Sequence, residues 1–170
     1  MVRTRVLFWG MFIGFLIVDQ AVKFWTRATF NEHASYALWP NVFELTLTYN
    51  KGIAFGKFQG MGVYLSPIAI LIAVAAAVYS HRHPKESVWT HTAMGLLASG
   101  ALGNLYDRVF HGKVTDMFWF RAIDFPVFNI ADACISVAAA ILIVRWTLES
   151  FHKPAVEVKP VVVENDTPAV

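Results

Sequence analysis

Between Gly100 and Asp132 the chain places four of its twelve acidic residues, Asp107, Asp116, Asp124 and Asp132, together with Asn104, Arg108 and Asn129. A carboxylate within the first turns of an apolar helix is by default a functional group, because charge is costly in such surroundings. Asp132 fits that description, since an uncharged run follows it to Val144. Its bland role would be to cap the helix that starts there, but Asn129, three residues earlier, already suits that position. Two carboxylates held within hydrogen-bonding distance share one proton. Such a pair hydrolyses an amide without a covalent intermediate: one carboxylate takes a proton from water while the other protonates the carbonyl oxygen and then the leaving amine. We single out Asp116 and Asp132 as this pair, although on spacing alone Asp107 or Asp124 would serve nearly as well. The two lie sixteen residues apart, about 24 Å if the chain between them were one helix. They can meet only if the break at Gly112, a strand-like stretch and Pro126 fold the chain back on itself.

The elements that must position these groups belong to a membrane protein. Of 170 residues 56% are hydrophobic and only 15% charged, and the mean hydropathy is +0.50, too apolar for an ordinary soluble domain. The net charge of +2, with no basic cluster interleaved with aromatics, argues against nucleic acid as a partner. One cysteine, Cys134, excludes an internal disulfide. Length suits a single integral-membrane domain over residues 1–150. Residues 151–170, with three prolines and mixed charge, read as a disordered tail.

Four spans are expected, at about 6–25, 61–79, 88–106 and 127–146. The first follows Arg3 and Arg5 like the apolar part of a signal peptide, but no small-x-small cleavage site follows before Trp25, so it reads as an uncleaved helix. Near its end Asp19 and Lys23 are four apart in the favourable acid-first order and can neutralise each other. Pro67 falls early in the second span, where a kink is tolerated. In the third, Gly95, Ser99 and Gly103 form a small-residue ridge for close helix packing. Between the first and second spans Phe43, Leu45, Leu47 and Tyr49 alternate with Glu44, Thr46 and Thr48, the period-two signature of a half-buried strand. Asn50-Lys51-Gly52 reads as a turn, and a second alternating stretch, Val114 to Arg121, puts Val114, Asp116, Phe118 and Phe120 on one face. The expected fold is therefore an all-α membrane bundle of four helices with a small antiparallel sheet, from about Val42 to Phe55 and Val114 to Phe120, at the membrane interface. Four crossings put both termini on one side. Lysines and arginines divide seven to seven between the two sides, so only the compact basic N-terminus tilts the termini to the cytoplasm.

Other chemistries find little support. There is no His-Glu-x-x-His, and His81 and His83, two apart in a short loop, make a poor zinc site. No Gly-x-Ser-x-Gly occurs, and neither Ser66 nor Ser99 has a neighbouring base. Cys134 reads as a small buried side chain. The six tryptophans fall mostly near span ends, as an aromatic belt does. No metal or organic cofactor is called for. Two non-enzymatic readings remain: a proton-coupled carrier using Asp19, Asp107, Asp116 and Asp132 as a relay, and a structural subunit using Asn and Asp as interhelical glue.

Five ordered runs, Asp19-Gln20-Ala21-Val22-Lys23, Asn50 to Gly56, Gly100 to Arg108, Val114-Thr115-Asp116 and Phe128 to Asp132, resemble those of the lipoprotein signal peptidases, the type II signal peptidases of bacteria. The resemblance covers nearly all of the chain except the tail. It implies an intramembrane aspartyl endopeptidase that needs no cofactor and removes the signal peptide from diacylglyceryl-modified prolipoproteins just before the lipidated cysteine. It further implies a bacterial inner-membrane location with the active site toward the periplasm. By this resemblance Asp116 and Asp132 are the catalytic dyad and Asp124 is a bystander. Asn50, Asn104, Arg108 and Asn129 fall on polar substrate-binding positions, and Asp19, Lys23 and Asp107 on structural polar ones. Arg108 offers five donors to ester or peptide carbonyls, its bland alternative being an interfacial snorkel. Met117 departs from the pattern, since an aromatic usually follows the aspartate there, but it exchanges one apolar contact for another. The expected partners are prolipoprotein substrates and membrane lipids, with the chain a monomer.

Overall fold

A computed structural model of the chain describes residues 2–52 and 65–152. Four helices account for most of it: α1 (Val2–Thr29), α2 (Ser66–Arg82), α3 (Val88–His111) and α4 (Ile130–His152). Three strands, β1 (Ser35–Trp39), β2 (Phe43–Asn50) and β3 (Val114–Trp119), form one antiparallel sheet in the order β1-β2-β3. Residues Ile53 to Gly56, the first part of the expected second span, and the tail from residue 153 lie outside the described residues.

Local chemistry sets where the helices start and stop. Pro67 sits in the first turn of α2, where its missing N–H has no intrahelical partner to lose, so it starts the helix instead of kinking it. Ser87 caps α3, its Oγ accepting the Thr90 N–H at 3.3 Å, and Gly112 ends it at φ 68°, a left-handed conformation suited to glycine. α4 starts at a reciprocal capping box, with Asn129 Oδ1 accepting the Asp132 N–H at 3.0 Å and Asp132 Oδ2 accepting the Asn129 N–H at 3.3 Å. Asn129 fills the capping position, and Asp132 answers it.

The centre of the bundle is α3, which packs against α1, α2 and α4. Its small residues let the neighbours approach. A Cβ on Gly95 would lie 2.8 Å from the Phe8 carbonyl oxygen of α1, and one on Gly103 would lie 2.6 Å from Asp19 Oδ2 and 3.2 Å from Ala131 Cβ. One apolar core joins Phe8, Ala73, Ala76 and Ala98, and a second joins Ala93, Leu96, Cys134 and Ala138. Large apolar side chains point outward instead: Leu71 is 67% exposed, Ile143 63% and Trp146 72%. Small residues inside and large ones outside is the arrangement of a bundle solvated by lipid. Among the described residues α1 and α4 are long and apolar enough to cross a bilayer. α2 is 17 residues long, and α3 carries the polar residues Asn104, Asp107 and Arg108.

The sheet departs from the simplest alternation. Strand β1 escaped notice in the sequence because all five of its residues are exposed, leaving no half-buried face to read. In β2 the buried positions include polar Glu44 and Thr46 as well as Leu47. Thr46 Oγ1 donates to the Ala34 carbonyl at 2.9 Å, and Glu44 is bonded by Ser35 and Arg121, so the polar face is satisfied where it is covered. A register shift between Leu45 and Thr48 turns Leu47 inward as well. Gly52 N–H donates to Asn50 Oδ1 at 2.8 Å, which makes the expected turn an Asx turn.

Candidate active site

Helical spacing lines up Asp19, Lys23 and Arg27 on one face of α1, opposite the polar end of α3. Asp19 and Lys23 form an ion pair at 3.0 Å with both side chains fully buried, and Asp19 Oδ1 also accepts the Ala131 N–H at 2.9 Å. Lys23 Nζ donates to Asn104 Oδ1 at 3.0 Å and lies 3.7 Å from Asp107. Asp107 accepts the Thr115 N–H at 2.8 Å and faces Arg27 at 3.4 Å. These contacts tie the start of β3, and with it the neighbouring Asp116, to α1 and α3.

The fold-back expected from Gly112 and Pro126 is made by the backbone. Met117 and Phe118 N–H both donate to the Phe128 carbonyl, at 3.0 and 2.9 Å, and Phe128 N–H donates to Phe118 O at 3.0 Å. This bridge closes the intervening loop and brings Asn129 against Asp116. Asn129 Nδ2 donates to Asp116 Oδ1 at 2.6 Å and to Asn104 Oδ1 at 3.1 Å. Asn104 Nδ2 donates to Asp132 Oδ1 at 2.7 Å. The two aspartates are therefore linked through two asparagine side chains whose orientations are set by their partners: Asn104 Oδ1 receives two donors, so its NH2 must face Asp132.

Asp116 and Asp132 both line a cleft of about 600 Å³. Its polar wall also holds Asn50, Asn104 and Arg108, while Val114, Phe120, Ile123, Phe125, Val127, Phe128, Ile135 and Val137 make the apolar remainder. Asn50 pairs with Val114 across the sheet and so shares the face that carries Asp116. Burial pushes the Asp116 carboxyl up to about 8, and the nearby Asp132 carboxylate pushes in the same direction. Such a perturbation inside a cleft marks a candidate acid or base.

Every site residue anticipated from the sequence, apart from Asn50, Arg108 and the deeper Asp19, Lys23 and Asp107, falls on the Asp116–Asn129–Asn104–Asp132 chain of hydrogen bonds; Asn50 and Arg108 line the same cleft, and the deeper three buttress it. Asp124 stands apart, exposed at the end of a 3-10 turn (Arg121–Ile123) with φ 47°. Met117 is fully buried. Cys134 packs in the α3–α4 core. His81 and His83 lie at the end of α2, their ring nitrogens 2.8 and 3.0 Å from the backbone carbonyls of Ala77 and Tyr79. Arg27 and Thr115 were not foreseen; their side chains meet at 2.9 Å. The signal for Arg27 was its place one helical repeat beyond Asp19 and Lys23, whereas Thr115 gave none.

Residues 11–148 match the family model described as signal peptidase (SPase) II. A lipoprotein signal peptidase of Gloeobacter violaceus is 40% identical, over 87% of this chain and 86% of that protein. One from Clostridium acetobutylicum is 35% identical, over 81% of this chain and 92% of that protein. A bacterial membrane enzyme solved by the in meso method at 2.3 Å superposes with a TM-score of 0.82 at 28% identity, covering 94% of this chain and 96% of that one. Matched along nearly all of its described length in sequence and in fold, the chain belongs to the signal peptidase II family of aspartic peptidases.

Proposed function

We propose that this chain is an intramembrane endopeptidase that cleaves the signal peptide from prolipoproteins, with Asp116 and Asp132 as its catalytic pair. The observation that carries this reading is the meeting of two carboxylates sixteen residues apart at one cleft, bridged by Asn129 and Asn104. Asp116 keeps its proton up to about pH 8 and so serves as the acid toward the scissile carbonyl. Asp132 then takes the proton from the attacking water, and the two exchange roles when the leaving amine is protonated. Asn50, Asn104, Arg108 and Asn129 hold the substrate backbone and the ester carbonyls of a diacylglyceryl group, with cleavage just before the lipidated cysteine. Asp19, Lys23 and Asp107 support them from inside the bundle.

The cleft's composition supports a substrate that stays partly in hydrocarbon. Its apolar wall suits acyl chains and the apolar signal segment, which would enter sideways while the peptide bond meets the polar wall. In this reading the chain crosses the bacterial inner membrane four times as a monomer. The sheet lies at the outer interface and both termini are cytoplasmic. A relay or a purely structural subunit would have no use for two acids converging on a cleft beside a sheet edge.

The test is a gel-shift assay with purified protein in detergent and a lipid-modified precursor. Wild type is expected to convert it, and Asp116→Asn and Asp132→Asn to lose conversion by at least a thousandfold, as when one member of a catalytic unit is removed. Processing by both variants at the wild-type rate would rule the pair out.

A further inference from the structure

Glu44 and Arg121, bonded to each other beside the sheet, take no part in the hydrogen-bonded site, and neither lines the cleft. They form a charge-assisted hydrogen bond at 2.6 Å, with the Glu44 side chain 5% exposed and that of Arg121 51% exposed. The other oxygen of Glu44 accepts the Ser35 hydroxyl from β1, so the acid is fixed on both sides by the sheet. Arg121 begins the 3-10 turn at the tip of the loop that the Phe118–Phe128 bridge closes. That loop supplies Phe120, Ile123 and Phe125 to the apolar wall of the cleft.

The register separates the two jobs of this region. Glu44 is the cross-strand partner of Trp119, and Arg121 lies over the Trp119 ring at 5.5 Å. Leu45 is the partner of Phe118, on the face that carries Asp116. The ion pair thus grips the loop from the side of the sheet away from the cleft, helped by the Ala122 N–H to Val42 carbonyl bond at 3.4 Å. Exposed Ile123, 73% accessible, has little packing of its own to hold it in place.

We propose that the Glu44–Arg121 pair is a latch that fixes the loop as the apolar wall of the cleft, and so sets how tightly the cleft holds the membrane-embedded, apolar part of its substrate. Both are positioning residues that act through Phe120, Ile123 and Phe125. The inference rests on the cleft being the substrate site.

It is tested with full-length protein in detergent and a lipid-modified precursor, measuring KM and kcat for wild type, Glu44→Gln, Arg121→Gln, the double variant and Arg121→Lys. An ion pair with one exposed partner is worth up to about a fivefold change in an equilibrium, so each Gln variant is expected to raise KM by roughly that factor with kcat within about twofold. The double variant should match the singles, because each removes the same interaction. Arg121→Lys, which keeps the charge, should stay near wild type. Unchanged KM in both Gln variants, additive effects in the double variant, or a fall in kcat alone overturns the latch. Asp132→Asn is measured alongside: its inactivity beside wild-type latch variants sinks the latch and leaves the catalytic pair standing, whereas its retained activity sinks the pair itself.

Discussion

Replacing Lys23 by Met should be one of the most damaging single changes in the bundle, and neutralising its partner should repair the fold without repairing catalysis. Lys23 has no solvent exposure and serves four groups: Asp19 at 3.0 Å, Asp107 at 3.7 Å, Asn104 Oδ1 at 3.0 Å and the Gly103 carbonyl at 3.4 Å. Removing it leaves Asp19 buried with no opposite charge, which costs about 3–5 kcal/mol when a buried pair is broken from one side. Asp107 suffers less, since Arg27 and the Thr115 N–H remain. In Asp19→Asn/Lys23→Met the uncompensated charge is gone, and the asparagine oxygen can still accept the Ala131 N–H, so most of the lost stability should return. Asn104 stays affected, because its oxygen loses one of its two donors and only Asn129 Nδ2, at 3.1 Å, is left to hold its amide nitrogen toward Asp132. Detergent-solubilised variants are compared by thermal unfolding followed through tryptophan fluorescence, and by precursor cleavage. The double variant is expected to melt near wild type yet cleave at least tenfold more slowly. A Lys23→Met protein as stable as wild type, or a double variant that cleaves normally, would show that Lys23 neither balances the buried acids nor orients Asn104.

Two further outcomes follow from the same contacts. Cleavage should fall as pH rises through about 8, as Asp116 loses its proton. Because the folded state holds that proton to higher pH than the unfolded chain, stability should also decline between about pH 4 and 8 and level off above; a pH profile of wild-type cleavage checks the first, melting temperatures of wild type and Asp116→Asn against pH check the second, and an equal slope in the variant refutes the assignment. Gly100→Ala should push α4 off α3, since its Cβ would meet the Ala131 carbonyl oxygen and come within 2.7 Å of Ile135. Overpacking of this kind costs about 1–3 kcal/mol, and displacement of Asp132 should slow cleavage by about a hundredfold, whereas Gly10→Ala, with open space around it, should cleave normally.

How much of this was legible in the sequence depends on which physical signal each part leaves. The helices announce themselves through apolar runs and caps, and the caps at Ser87, Gly112 and Asn129 fall where the residue types suggest. Strand β2 was visible by its alternation, but not which face would be covered, since that depends on β1 lying beside it. Strand β1, exposed along its whole length, has no periodicity to read. The acids were conspicuous because charge is scarce in this chain, yet spacing could not choose between Asp107, Asp116 and Asp124 as the partner of Asp132. The selection comes from long-range backbone pairing, the bridge from Phe118 to Phe128 and the Thr115 N–H bound by Asp107. Glu44 and Arg121 were invisible for the same reason: 77 residues separate them, and neither type is unusual in its own segment.

The ordering of the donors explains why so polar a centre can sit in so apolar a chain. Lys23 has only protons to give, so it fixes the oxygen of Asn104 toward itself and the amide nitrogen toward Asp132. Asn129, its own oxygen engaged by the Asp132 N–H, has its amide nitrogen left for Asp116 and Asn104. Each amide is therefore constrained by a partner that cannot reverse, and the orientation passes from α1 to the two carboxylates without any group being left to choose. In the proposed reaction, donors fixed this way need not turn when a proton moves between the acids, which is the condition under which fixed dipoles contribute most in a medium of low dielectric. The burial that makes Asp19, Lys23 and Asp107 costly in isolation is thus what gives the cleft its fixed polarity.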